Sequence, residues 1–105
     1  MVETNSARTF ADGMAVRVPV KEALDIYGRG AARIVSVSEE EIADAIRLYY
    51  TATHNLAEGA GAAPLAALMQ ERERIKGRKV GVILSGGNID MGWFRTVLDG
   101  GVPVA

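Results

Sequence analysis

The period of the apolar positions changes several times along the chain, and each change marks an element. Val20, Ala23, Leu24 and Tyr27 recur at helical spacing and Gly28 and Gly30 supply stop signals, so a short helix is expected over 20–27. Arg33-Ile34-Val35-Ser36-Val37 is short and β-branched, the pattern of a buried strand. Ser38-Glu39-Glu40-Glu41 reads as a capping box, in which the Ser38 hydroxyl accepts from the Glu41 amide and the Glu41 carboxylate reaches back to the Ser38 amide. The helix it starts should turn Ile42, Ala45, Ile46, Tyr49 and Thr53 to the core, leaving Asp44 and Arg47 wet. Another helix is expected after the Gly59-Ala60-Gly61 break, with Pro64 in its first turn and Leu65, Leu68 and Met69 inward. Glu71 to Lys76 would be its solvated last turns, and Gly77 lies past its end. Val80-Gly81-Val82-Ile83-Leu84 is an apolar run of strand length that stops at Ser85-Gly86-Gly87-Asn88. The first 20 residues hold no sustained period and read as extended or looped segments around Gly13 and Pro19.

Two strands separated by a long helical stretch suggest parallel pairing through a right-handed crossover, covered on both faces. The expected class is therefore α/β, with a parallel sheet and flanking helices. Two strands do not complete such a layer, however, and the Ala-rich helix from Gly61 is apolar on nearly every side. The chain is expected to lack neighbours. At 105 residues it forms one domain at most, and no internal repeat, low-complexity tract or linker divides it.

Charge narrows the partners. Twelve Lys and Arg against 13 Asp and Glu give a net charge of −1, so no basic excess is present to neutralise phosphates. Nucleic acid or an anionic membrane is a poor match, and a small molecule or a protein a better one. No run of about 18 apolar residues suggests a membrane span, and the polar start Met1-Val2-Glu3-Thr4-Asn5-Ser6 does not read as a signal peptide. With no cysteine, thiol nucleophiles, disulfides and thiolate metal sites drop out, and a cytoplasmic location is the expectation.

Few residues remain that could carry chemistry. His54 is the single histidine and has no carboxylate placed to join it as a ligand set, so no metal site is expected and a helix-end role outweighs that of a general base. Gly28-Arg29-Gly30 resembles the start of a dinucleotide fingerprint, but it follows a helix and Arg33 stands where the third glycine belongs. Gly59-Ala60-Gly61-Ala62 opens a helix and could offer amides to an anion, or could serve close packing. Glu58 precedes it in apolar surroundings; it either needs a buried partner or simply complements the helix N-terminus. Ser85-Gly86-Gly87-Asn88 is the strongest signal, because in parallel α/β folds ligands sit beyond the C-terminal strand ends, yet a plain turn would also use Gly-Gly.

Four stretches in order make these residues more specific: Ala11-Asp12-Gly13-Met14-Ala15-Val16, Val37-Ser38-Glu39-Glu40-Glu41-Ile42, Glu58-Gly59-Ala60-Gly61-Ala62, and Leu84-Ser85-Gly86-Gly87-Asn88-Ile89-Asp90. Together they resemble the C-terminal part of the pyridoxal-phosphate-dependent serine/threonine dehydratases, the family that includes serine racemase and hydroxyaspartate dehydratases. The likeness runs from about Thr9 to Asp90. It implies a fold type II enzyme that eliminates water from a β-hydroxy amino acid to give a 2-oxo acid and ammonia. Residues 1–105 would be a single excised segment from the C-terminal part of the cofactor-binding large domain, a partial three-layer structure without a regulatory domain.

The resemblance also assigns roles. Ser85 would hydrogen-bond the pyridine nitrogen of pyridoxal phosphate, Gly86 and Gly87 would let the ring edge approach, and Asn88 and Glu58 would lie close to the site. A neutral hydroxyl, worth about 0.5–1.5 kcal/mol net, leaves the ring largely unprotonated and so favours elimination over side reactions. The Schiff-base lysine and the glycine-rich phosphate loop of the family lie in upstream motifs absent from these residues, and Lys21, Lys76 and Lys79 stand in unrelated contexts. The segment alone is therefore expected to be inactive, with the rest of the same enzyme as its partner, a small amino acid as substrate and a homodimer as the complete assembly. The competing reading is a stand-alone α/β interaction module that pairs through apolar surface left by missing strands. Which hydroxy amino acid is used, and whether racemisation accompanies elimination, is left open.

Overall fold

A computed structural model describes residues 1–105. Four α-helices carry the fold: α1 (Lys21–Gly30), α2 (Glu39–Leu48), α3 (Gly59–Gln70) and α4 (Met91–Leu98). A single 3₁₀ turn (Asp12–Met14) precedes them, and α2 runs on into one widened π-type turn (Tyr49–Thr53).

The local signals for α2 act as expected. The Ser38 hydroxyl accepts from the Glu41 amide at 3.1 Å, and the Glu41 carboxylate accepts from the Ser38 amide at 2.7 Å. Ile42, Ala43, Ala45 and Ile46 are buried, while Thr53 is exposed because the chain has left the regular helix by that point. Arg47 is not wet. Its guanidinium donates to the carbonyls of Val97 at 2.8 Å and Gly101 at 3.3 Å, satisfying the end of α4.

α3 begins earlier than its glycines suggest. Gly59 and Gly61 lie inside its first turn, and Pro64 falls in the second, where it leaves the Ala60 carbonyl without its usual intrahelical donor. The buried side of α3 is Gly59, Gly61, Ala62 and Ala66, with Leu65, Leu68 and Met69 only half-buried. Small residues let α2 pack closely on this face. Helix α4 lies beyond the expected elements: Asp90 caps it by accepting from the Trp93 amide at 3.0 Å, and Val97 is its buried anchor. Phe10, Ile46 and Val97 are the largest side chains wholly inside, and Trp93 meets Phe10 edge-on at 6.3 Å.

The expected sheet is not formed. The structure has no β-strand, and no backbone-to-backbone hydrogen bond engages residues 33–37 or 80–84; the Ser36 carbonyl accepts only from the Gln70 side-chain amide, at 2.9 Å. A ladder needs a neighbour, and these two segments do not pair with each other; the crossover pairing inferred from their sequence is therefore not made within this chain. Ile34 (74%) and Ile83 (77%) stay largely exposed, where a completed sheet would bury them. The stop signals in α1 are also overrun, since the helix includes both Gly28 and Gly30. These glycines lie in a helical turn with open space around them, which removes the dinucleotide-loop reading of Gly28-Arg29-Gly30.

The outcome is a slab of 39 × 38 × 19 Å. Its radius of gyration is 14.5 Å, above the roughly 13 Å of a compact domain this long. It exposes 7517 Å², against about 5,700 Å² for a compact monomer of 11.2 kDa. No helix is long and apolar enough to cross a membrane.

Two polar groups beside this core give measurable expectations. The Ser38 backbone N–H first, and the Gln70 amide after it, hold the Glu41 carboxyl below its ordinary value of 4.5. Because the folded pKa lies below the unfolded one, this stabilisation is fully present above the unfolded value and is lost as pH falls through the folded pKa. A carboxyl titration by NMR should give a Glu41 midpoint below 4.5 that rises toward it in Gln70→Ala; an unmoved midpoint would contradict the assignment. The Tyr49 hydroxyl is buried without a partner, and burial pushes its pKa up. Tyr49→Phe should leave stability unchanged or raise it by up to about 1 kcal/mol in urea denaturation, because an unpaired buried hydroxyl is removed.

Candidate functional site

Three segments distant in sequence meet at the N-terminus of α3. Residues 56–58 approach the Ser85–Asn88 loop, and the Ala11–Gly13 stretch closes over them. The Glu58 backbone N–H donates to the Gly86 carbonyl at 3.0 Å. The Asn88 backbone N–H returns a bond to Glu58 Oε2 at 3.0 Å. Glu58 thus binds both sides of the loop, one with its main chain and one with its side chain.

Glycines make this approach possible. A Cβ on Gly87 would stand 2.5 Å from the Leu56 carbonyl oxygen, and one on Gly61 would overlap the Gly86 carbonyl oxygen. A Cβ on Gly59 would lie 2.7 Å from Ala11 Cα, and one on Gly86 would lie 3.0 Å from Glu58 Cδ. Within this chain, close packing therefore accounts for the glycines of both the Gly59-Ala60-Gly61 and Gly86-Gly87 pairs. The anion-loop alternative at α3 is left without support: Gly59, Gly61 and Ala62 are buried against protein.

Glu58 stands at the N-cap of α3 but its carboxylate makes no cap hydrogen bond to that helix. It reaches across to Asn88, 30 residues later. Gly13 borders the other oxygen, since a Cβ there would be 3.0 Å from Glu58 Oε1 and from Ala60 Cβ. The Ala11–Gly13 stretch is held in turn by Glu39, which accepts from the Thr9 hydroxyl and, at 3.2 Å, from the Phe10 amide. The Thr9 oxygen accepts from the Ala11 amide at 3.0 Å. All four sequence stretches singled out above are consequently wired together through two carboxylates and several glycines.

Ser85 and Asn88 are exposed, Gly86, Gly87 and Glu58 half-buried. The loop is pinned from behind by Leu56, Glu58 and Gly61, while the Ser85 side chain stays outside. None of the four concavities of the surface is lined by Ser85 or Glu58. His54 lies apart in the left-handed conformation (φ 57°) that ends the π-type turn, a helix-end position. Leu56, Gly13 and Glu39 were not among the expected site residues. Glu39 and Gly13 lie inside the quoted stretches, but Leu56 contributes only its carbonyl and no side-chain signal could reveal it.

Comparison with known proteins gives this arrangement a family. The model of the family described as pyridoxal-phosphate dependent enzyme matches residues 1–86. The chain belongs to that family. It is 38% identical over 94 residues to the L-threonine ammonia-lyase of Thermotoga maritima, covering 90% of this chain and 23% of the relative. With the L-threonine ammonia-lyase of Geobacter sulfurreducens the identity is 42% over 97 residues, covering 92% and 24% respectively. Among solved structures, the crystal structure of the T.th. threonine deaminase superposes with a TM-score of 0.79 at 33% identity, over 87% of this chain and 33% of the other. The chain spans about a quarter of the length of the curated relatives it matches.

The packing makes a paired prediction. Gly61→Ala should destabilise by about 1–3 kcal/mol, because its Cβ meets backbone that cannot move aside. Gly28→Ala, in α1 with nothing within 4 Å of the added atom, should stabilise by about 0.5–1 kcal/mol. Urea midpoints of the two variants, compared with wild type, check the contrast; equal shifts would mean the α3–loop approach is not tight.

Proposed function

We propose that this chain is the C-terminal part of the cofactor-binding body of a pyridoxal-phosphate-dependent dehydratase that removes water from a β-hydroxy amino acid such as threonine or serine, giving a 2-oxo acid and ammonia. The observation that carries the reading is the exposed Ser85, held at a loop whose other side is fixed by Glu58, in a chain belonging to this family. The cofactor, when bound, supplies an electron sink for bond cleavage at the amino-acid carbons.

The residues fit such a group. The Ser85 hydroxyl is free to offer a neutral hydrogen bond to the ring nitrogen, and Asn88 stands exposed beside it. A neutral partner leaves that nitrogen largely unprotonated, which limits the electron withdrawal that would favour side reactions over elimination. Gly86 and Gly87 allow the loop to turn tightly against Leu56 and Glu58, so the hydroxyl is presented on a fixed backbone rather than a mobile one.

The rest of the body would come from polypeptide outside these 105 residues. Roughly 1,800 Å² of surface beyond that of a compact monomer supports this. So do the unpaired segments at 33–37 and 80–84, which would complete a parallel sheet with strands of that body, helices lying on both faces. The Schiff-base lysine would belong to the same outside portion, and the complete enzyme would be a homodimer of the cytoplasm.

Two outcomes follow. Incubated with pyridoxal phosphate and borohydride, this chain should yield no specifically labelled lysine, whereas the complete enzyme containing it should; specific labelling here would defeat the proposal. In the complete enzyme, Ser85→Ala should weaken cofactor binding by about 2- to 10-fold, the equivalent of one neutral hydrogen bond. Ser85→Asp should raise slow transamination relative to elimination, and identical product ratios in wild type and both variants would remove Ser85 from the ring.

A further inference from the structure

We infer that Glu58 is a positioning residue, which sets the place of the Ser85 hydroxyl by gripping the Ser85–Asn88 loop and does not itself touch the cofactor. The inference rests on the reading of Ser85 given above and goes further by naming what holds it in place. The argument begins with what the carboxylate leaves undone. Asp, Asn, Ser or Thr at an N-cap turns its side chain onto the amides of its own first turn. Glu58 does not, and its carboxylate accepts from the Asn88 amide instead.

Its surroundings are shaped for that reach. Gly86 and Gly13 both lie where a Cβ would come within about 3 Å of the carboxylate, so side chains are absent from both flanks. No Lys, Arg or His pairs with Glu58. Its charge is met by a backbone amide and by the N-terminal end of α3, both fixed dipoles. Meanwhile its own N–H holds the Gly86 carbonyl, one residue after Ser85. With Gly86 and Asn88 both fixed to Glu58, little torsional freedom is left between Ser85 and the bound loop. One oxygen of the carboxylate is engaged by Asn88 and the other lies beside Gly13, which places the group behind the loop.

The test is a double-mutant cycle in the holoenzyme that contains this chain, read by cofactor dissociation and by the fluorescence of the bound cofactor. Ser85→Ala and Glu58→Ala should each weaken cofactor binding, Glu58→Ala by no more than the about 2- to 10-fold of Ser85→Ala, because it acts only through that hydroxyl. Combined, they should cost no more than the larger single loss, since the serine contributes nothing once its loop is released. Glu58→Gln should recover most of the affinity and the native fluorescence, because an amide oxygen still accepts from Asn88. Glu58→Asp, shorter by one methylene, should shift both readouts toward those of Glu58→Ala.

Losses that multiply in the double variant would overturn the positioning role while leaving Ser85 in place. A Glu58→Gln enzyme as impaired as Glu58→Ala would overturn it too, since charge rather than the acceptor would then matter. If Ser85→Ala binds cofactor as wild type does, the reading of Ser85 itself fails and this inference fails with it. Should Glu58→Ala not fold, the Gln and Asp variants carry the same decision against Ser85→Ala.

Discussion

The close approach of the α3 N-terminus to the Ser85–Asn88 loop is the constraint on which the rest of the structure depends. It requires hydrogen in place of side chains at Gly61 and Gly87, and it brings main-chain atoms near enough for Glu58 to bind Gly86 with its N–H and Asn88 with its carboxylate. Hydrogen bonds from backbone to a carboxylate are directional and about twice as strong as neutral ones, so the loop inherits its position from a helix rather than from its own sequence. Glu39 repeats the device on the opposite side, tying Thr9 and Phe10 to the start of α2. A glycine-rich stretch that looks like a ligand cradle is here first a packing surface.

The apolar core explains why these clamps matter. It is small, dominated by alanines on α2 and α3, with Phe10, Ile46 and Val97 as its largest members. Alanine buries little area, so hydrophobic burial of about 25 cal/mol per Å² can supply only a modest total. Specific polar contacts and the tight fit of small residues then locate the segments relative to one another. Arg47, which ties α2 to the end of α4 and to Gly101, belongs to the same scheme.

The chain is a thin layer, 39 × 38 × 19 Å, with more surface than a compact monomer of its mass. The segments at 33–37 and 80–84 carry apolar side chains and make no backbone-to-backbone hydrogen bond, the exposed-edge condition that strand pairing relieves. The loop with Ser85 lies at the end of the second segment, the end at which parallel α/β proteins place their ligands.

Residues close in sequence determined what could be read without coordinates. The capping box of Ser38 and Glu41 spans one helical turn, and the periodicity of Ile42, Ala45 and Ile46 follows from 3.6 residues per turn; neither needs distant chain. The four ordered stretches likewise located the family and the loop. α4 was not among the expected elements, although its signals are equally local: Asp90 as a cap and the spacing of Phe94, Val97 and Leu98. Tertiary structure alone decided the rest. Whether an apolar run becomes a strand depends on a neighbour, and the runs at Ile34 and Ile83 have none in this chain. Glu58 could be read only as a carboxylate in apolar company, because its partner lies 30 residues away and is a backbone amide, an atom every residue but proline shares.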